Sequence, residues 1–94
     1  MEMARRNPEF RIGLLEEALE AFASGEVDAG KILLLDYVNA TVGFEGLGSA
    51  LHKSPKSLMR MLSAEGNPRA NNLFAVVAHL KGREGVSLSL HRAD

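Results

Sequence analysis

The apolar residues of the chain recur every three or four positions from Phe10 to Leu80, which is the spacing that gives an α-helix one apolar face. The first such stretch follows a capping residue, Asn7, and a proline that suits the first helical position. It ends at Ser24-Gly25. Its apolar face consists of Phe10, Leu14, Ala18, Ala21 and Phe22. We therefore predict an N-terminal amphipathic helix within residues 1–25, ahead of a second unit over residues 28–94.

Three more helices are predicted from the same spacing. The second begins with Asp28 as its cap and ends near Gly43, and the third covers Phe44 to Leu51 with Gly48 at its middle. A fourth opens at Ser54-Pro55, where a serine cap precedes a proline at the first helical position. The inward positions of the third and fourth helices are Leu47, Leu51, Leu58, Met61 and Leu62.

The sequence Gly66-Asn67-Pro68 predicts a turn, because glycine readily takes positive φ and the residue before a proline is pushed out of helical geometry. The fifth helix then begins at Asn71 or Asn72, covers Leu73 to Lys81, and ends at the glycines that follow, Gly82 and Gly85. Its core positions are Leu73, Val76, Val77 and Leu80.

The pattern changes after the fifth helix. Val86, Leu88 and Leu90 alternate with polar residues as far as His91, which is typical of a half-buried β-strand. No second strand is predicted, and an isolated strand needs a partner for its backbone groups. We expect strand 86–91 to pair with its own copy in a homodimer or with the sheet edge of a partner protein. The fold class is thus all-α, with five helices and a short C-terminal strand.

Composition limits the possible chemistry. The chain has 94 residues and no cysteine, which suits one domain and excludes disulfides, cysteine-ligated zinc and thiol catalysis. Its longest apolar run, Leu73 to Ala78, is far shorter than the roughly 20 residues of a membrane span. The N-terminus has no apolar stretch of signal-peptide length. We expect a soluble cytoplasmic protein that does not bind membranes.

Charge is distributed unevenly. Residues 1–50 hold four Lys/Arg and nine Asp/Glu, giving −5, whereas residues 51–94 hold seven and three, giving +4. A basic half of this kind is typical of proteins that bind polyanions, and it is also compatible with ordinary solvated helix faces. The acidic half includes Glu16, Glu17 and Glu20 on the first helix. These three carboxylates form either an ordinary solvated face or a surface for a basic partner protein.

The third and fourth predicted helices, joined by a short turn, have the spacing of a helix-turn-helix unit. In such a unit the exposed face of the second helix enters the major groove of DNA. We predict base contacts from Lys56, Ser57, Met59 and Arg60. We predict phosphate contacts from Lys53, Asn67, Arg69 and Asn71.

The segments ATVGFEGLGSAL, KSLMRMLSAEGNP, NNLFAVVAHL and GVSLSL resemble the HigA-like antidote (antitoxin) proteins of addiction modules, which belong to the lambda-repressor-like helix-turn-helix class. The likeness covers about residues 30–91. It implies a protein that binds the promoter of its own operon and neutralises a co-encoded ribonuclease toxin.

The chain departs from that family at three positions. The family usually has glycine at the position of His52, because the turn needs positive φ there, and an apolar residue at the position of Lys53. It commonly has a serine or threonine cap at the position of Arg69, so we expect the fifth helix to start late, at Asn71. A histidine and a lysine in the turn would alter its tilt or its length.

Other functions have less support in the sequence. His52, His79 and His91 are far apart and have no carboxylate or cysteine at metal-ligand spacing, and the glycines of GFEGLG lack the strand and lysine of a phosphate-binding loop. We expect no enzyme activity, no metal and no cofactor. Two alternatives to an antitoxin remain: a stand-alone helix-turn-helix repressor without a toxin, and an interaction module that binds only protein.

Overall fold

A computed structural model describes residues 7–87, which form five α-helices and, within that range, no strand. The helices are α1 (Pro8–Ala23), α2 (Val27–Ala40), α3 (Gly43–Leu51), α4 (Pro55–Met61) and α5 (Ala70–Glu84). The prediction of five helices is therefore confirmed for the described part of the chain.

All five helices contribute to one apolar core. Leu15 of α1 and Tyr37 of α2 are buried with Leu58 of α4, and the interior also includes Leu34, Val38, Leu47, Leu62, Val76 and Leu80. The most extensive contact between helices is that of α1 with α2, where a Cβ atom on Gly30 would lie 2.7 Å from the ring of Phe22. A larger residue at position 30 would therefore require the Phe22 ring to move, which offsets the weakening of the first turn of α2 by glycine.

The connection between α1 and α2 is short and hydrogen-bonded. Gly25 has a φ of 83°, and the Glu26 N–H donates to the Ala21 carbonyl at 2.8 Å, which together form a Schellman motif. Because Glu26 completes this motif and also accepts from the Gly30 N–H at 3.0 Å, α2 begins directly afterwards, at Val27. The prediction that Asp28 caps α2 is therefore wrong, since Asp28 lies inside the first turn.

Helix α5 is longer than predicted at both ends. It begins at Ala70, with Arg69 as a cap residue whose side chain makes no capping hydrogen bond, and it continues through Gly82 to Glu84. The prediction that Gly82 and Gly85 end the helix is wrong for Gly82 and confirmed for Gly85. Gly85, with a φ of 68°, is the residue that ends the helix, and the Val86 N–H donates to the Lys81 carbonyl at 3.2 Å.

The predicted C-terminal strand falls mostly outside the described residues. Val86 and Ser87 have no regular secondary structure, and Leu88, Leu90 and His91 lie beyond the described range. Among residues 7–87, no helix has the length and apolarity needed to cross a bilayer.

Candidate nucleic-acid interface

Helices α3 and α4 are joined by a three-residue turn, His52-Lys53-Ser54. His52 has left-handed backbone angles, φ 57° and ψ 44°, and it is the one non-glycine residue with positive φ among the described residues. Its N–H donates to the Gly48 carbonyl, as does the Lys53 N–H at 3.0 Å. The positive φ expected at this position is confirmed, and a histidine adopts it in place of glycine.

The turn leads directly into the cap of α4. Ser54 has an extended backbone, its side-chain oxygen accepts from the Ser57 N–H at 3.1 Å, and Pro55 is the first residue of the helix. The serine supplies an acceptor for an N–H that has no partner inside the helix. The predicted start of α4, a serine cap followed by a proline at the first helical position, is confirmed.

Gly48 sets the distance between α3 and the turn. A Cβ atom there would lie 2.5 Å from the Lys53 carbonyl oxygen and 3.5 Å from Cδ of Pro55. Any larger residue would push the turn away from α3. Leu47 and Leu58 are buried on either side of the turn, as predicted, while Leu51 and Met61 are partly buried against the core.

The exposed face of α4 carries all four predicted base-contact residues. Lys56, Ser57, Met59 and Arg60 are exposed, Met59 to 44%. Because Leu58 is buried in the core, the rotation of α4 about its axis is fixed, and these four side chains face solvent. Helix α4 therefore presents two cations, a hydroxyl and a thioether on one accessible surface.

An open groove of about 520 Å³ lies beside α4 and the loop that follows it. Three of its lining residues are cations, Lys53, Arg60 and Arg69, and one is a carboxylate, Glu65. These four side chains carry three positive charges and one negative charge, a net +2. We call this the basic groove.

The basic groove brings together residues from both predicted sets. Ser57 and Arg60 line it with three of the four predicted phosphate contacts, Lys53, Asn67 and Arg69. Asn71 is exposed at the start of α5 but does not line the groove, and its side chain accepts from the Asn72 N–H at 3.0 Å. Lys56 and Met59 are also exposed beyond the groove lining.

The loop between α4 and α5 folds back tightly over the end of α4. A Cβ atom on Gly66 would lie 2.0 Å from the Arg60 carbonyl oxygen and 2.8 Å from that of Met61. Gly66 does not have positive φ, unlike Gly25, Gly43 and Gly85. The prediction that positive φ explains this glycine is therefore wrong, and close approach of the backbone explains it instead.

Lys31 is a site residue that sequence reasoning missed. Its side chain is only 3% exposed, and Nζ donates to the carbonyls of Ser63 at 2.9 Å and Gly66 at 2.7 Å. The exposed carboxylate of Asp28 lies 3.6 Å away. A signal was present in the sequence: Lys31 precedes the buried Leu34 by three positions and therefore shares its helix face.

A second polar cluster joins three helices. Arg11 of α1 donates from Nε to both carboxylate oxygens of Glu84 at 3.0 and 2.9 Å, and the Tyr37 hydroxyl donates to the same carboxylate. Burial, and then the Glu84 carboxylate, raises the pKa of Tyr37 well above its usual value of 10.0. The cluster ties α1 and α2 to the end of α5.

The remaining predicted features are placed as follows. Glu16, Glu17 and Glu20 are exposed on α1, and Glu17 and Glu20 line a shallow depression with Glu26. His52 is in the turn and His79 is in α5, whereas His91 is beyond the described residues. No group of three or more potential metal-ligating side chains occurs within residues 7–87.

The chain was compared with protein-family models, curated proteins and solved structures, and no match was found in any of the three.

Proposed function

We propose that the chain is a sequence-specific DNA-binding transcriptional regulator that inserts α4 into the major groove. The observation that carries the proposal is the basic groove next to a short helix with an exposed polar face, reached through a three-residue turn. A helix-turn-helix protein needs both parts, a helix that reads bases and neighbouring groups that hold phosphates.

The geometry supports different roles for the two sets of residues. Arg60 and Lys56 project from α4 and act as base readers, because Arg and Lys commonly donate to the O6 and N7 atoms of guanine. Ser57 and Met59 complete this surface. Lys53, Asn67 and Arg69 lie on the turn and the loop that flank α4, where they hold phosphates, and Asn71 extends this set.

DNA binding is tested by fluorescence anisotropy with the promoter of the chain's own operon and with a random duplex. If a homodimer neutralises about six phosphates, affinity should fall roughly a thousandfold between about 50 and 200 mM salt. The homodimer is itself part of the proposal, and light scattering at the same salt measures it. Absence of binding to either duplex at the lowest salt would exclude the DNA-binding function.

The resemblance to HigA-like antitoxins supports a more specific role, in which this cytoplasmic regulator also neutralises a co-encoded ribonuclease toxin. A basic toxin would find an acidic surface at Glu17, Glu20 and Glu26, which belongs to α1 and the start of α2. This surface uses none of the residues of the basic groove. The protein would therefore be able to hold DNA and a toxin through separate contacts.

The antitoxin role is tested by co-expression with the protein encoded next to it. An antitoxin should rescue growth and purify as a complex, and charge reversal at Glu17 and Glu20 should weaken that complex without changing DNA affinity. A harmless neighbour that does not co-purify favours the stand-alone repressor. Complex formation without any promoter binding favours the protein-only interaction module.

A further inference from the structure

Lys31 links the inner face of α2 to the loop that forms one wall of the basic groove. Its Nζ reaches carbonyls 32 and 35 residues further along the chain, those of Ser63 and Gly66. Both carbonyls follow the last residue of α4, Met61, and the lysine side chain is 97% covered, since only 3% remains exposed. A buried ammonium is retained only where strong acceptors replace its water.

The position of these carbonyls gives the lysine a second effect. The carboxyl end of a helix has a partial negative charge and carbonyls without partners inside the helix. Lys31 places a full positive charge at that end of α4 and binds the backbone that follows it. The Ser63 hydroxyl, which donates to the Arg60 carbonyl at 2.7 Å, holds the same turn from within.

The loop fixed in this way carries residues of the basic groove. Gly66 lines the groove, and Asn67 and Arg69 follow it closely along the chain. The base readers are held differently, because the orientation of α4 also depends on the turn before it, on Gly48, and on the burial of Leu58. Removing the two Lys31 hydrogen bonds should therefore move the phosphate-holding loop more than the base-reading face.

We propose that Lys31 is a positioning residue for the DNA interface, which fixes the loop that holds phosphates without touching DNA itself. The inference rests on the proposed DNA-binding function. Lys31 thus controls general affinity for the DNA backbone and leaves discrimination between sequences to α4.

The test replaces Lys31 with methionine, which keeps an unbranched side chain and removes the ammonium. Lys81→Met removes one positive charge from a partly buried position of α5 that does not line the groove, so it controls for net charge. Asp28→Asn controls for the exposed carboxylate near Nζ. All three proteins are compared with the wild type in anisotropy titrations against salt, on promoter and random DNA.

Lys31→Met should weaken binding to both duplexes by the same factor, roughly tenfold or more. It should also make the salt dependence shallower, by about 0.9 in log–log slope for each phosphate that the protein no longer neutralises. Lys81→Met and Asp28→Asn should keep the wild-type slope. A Lys31→Met protein that binds like Lys81→Met would overturn the proposal. So would a selective decrease in promoter binding, because that result places the effect on α4.

Hydrogen exchange measures the loop without DNA. The Gly66 N–H donates to the Ser63 carbonyl at 3.1 Å, so its exchange should accelerate at least about tenfold in Lys31→Met, while amides between α1 and α2 stay protected. Unchanged exchange at Gly66 would contradict a positioning role. If the wild-type protein binds neither duplex, the proposed DNA-binding function fails. If the wild type binds DNA and the Lys31→Met protein binds equally well, only the positioning role of Lys31 fails.

Lys31→Gln and Lys31→Arg keep the test decisive if Lys31→Met does not fold. The glutamine amide is too short to reach both carbonyls, so Lys31→Gln should show the faster exchange and shallower slope. Lys31→Arg keeps a long cationic donor and should restore both towards wild-type values. Equal behaviour of the two variants would overturn the proposal.

Discussion

His52→Gly should stabilise the protein, because His52 holds a left-handed backbone conformation that glycine adopts without steric conflict. With φ 57° and ψ 44°, the Cβ atom of the histidine lies close to the carbonyl oxygen of the same residue, and this steric conflict costs roughly 1–2 kcal/mol for an L-residue. Glycine is disfavoured by about 0.4–1 kcal/mol through the greater freedom of its unfolded chain. The exposed imidazole makes little offsetting contact, so the net gain is about 0.5–1 kcal/mol.

Thermal and urea denaturation followed by circular dichroism measure this gain. For a domain of this size, about 1 kcal/mol shifts Tm by about 4–8 °C, so His52→Gly should raise Tm by roughly 2–8 °C. Ala50→Gly is the matched control, because Ala50 is exposed within α3, two positions earlier. There the same new residue should lower stability by about 1 kcal/mol.

Opposite signs for the two glycine variants are the specific expectation. If His52→Gly lowered Tm as Ala50→Gly does, the left-handed turn would not exist in solution, and the angle between α3 and α4 would have to be different. An unchanged urea m-value would show that both variants unfold from the same compact state.

Four further variants test the interface and the core. In anisotropy titrations, Arg60→Ala should weaken binding to the promoter by about 1–3 kcal/mol and relax discrimination at one base pair, whereas Arg69→Ala should weaken binding to promoter and random DNA alike. Equal decreases in affinity for both duplexes in Arg60→Ala would contradict its role as a base reader. Gly48→Ala should lower Tm and reduce affinity for the promoter, since the new Cβ would lie 2.5 Å from the Lys53 carbonyl oxygen. A Tm and an affinity equal to those of the wild type would argue against this close approach. Because burial and Glu84 raise the pKa of Tyr37, its contribution to stability is complete below about pH 10 and is lost as the pH rises further. Tyr37→Phe should therefore flatten the alkaline fall in the free energy of unfolding. The absorbance of tyrosinate measures the pKa of this single tyrosine directly, and titration at its usual pH would refute the expectation.

The parts of the fold that follow from neighbouring residues could be predicted from the sequence. Asn7-Pro8 and Ser54-Pro55 mark helix starts because a capping side chain reaches an N–H only two or three positions away. Gly48 is predictable for a similar reason, since a close approach restricts the residue type at one position. The left-handed turn at His52 is expected only from the resemblance to HigA-like antitoxins, which usually have glycine at that position. The exposure of Lys56 and Arg60 follows from helical periodicity.

Two of the errors, at Lys31 and at the end of α5, occur where distant contacts decide the structure. The amphipathic pattern gives no distance between Lys31 and a loop more than 30 residues away, and a lysine in that pattern is usually exposed. The glycine rule places the end of α5 at Gly82 and Gly85, and the helix passes the first of them before Gly85 ends it. The helix continues because Glu84, in its last turn, is held by Arg11 and Tyr37 from two other helices.

These two kinds of contact meet at the basic groove, and they restrict different parts of it. The turn at His52 and the packing at Gly48 are local to α3 and α4, so they set the direction in which Arg60 projects. The loop at Gly66 is fixed from α2 through Lys31, so in the proposed complex with DNA it would set where Arg69 meets a phosphate. Because the residues that fix α4 and those that fix the loop are on different elements, the proposed function predicts that substitutions change base preference and affinity for the DNA backbone separately. If the protein binds DNA as proposed, substitutions in α4 should change the preferred operator, while the Lys31 contact keeps the affinity for random DNA.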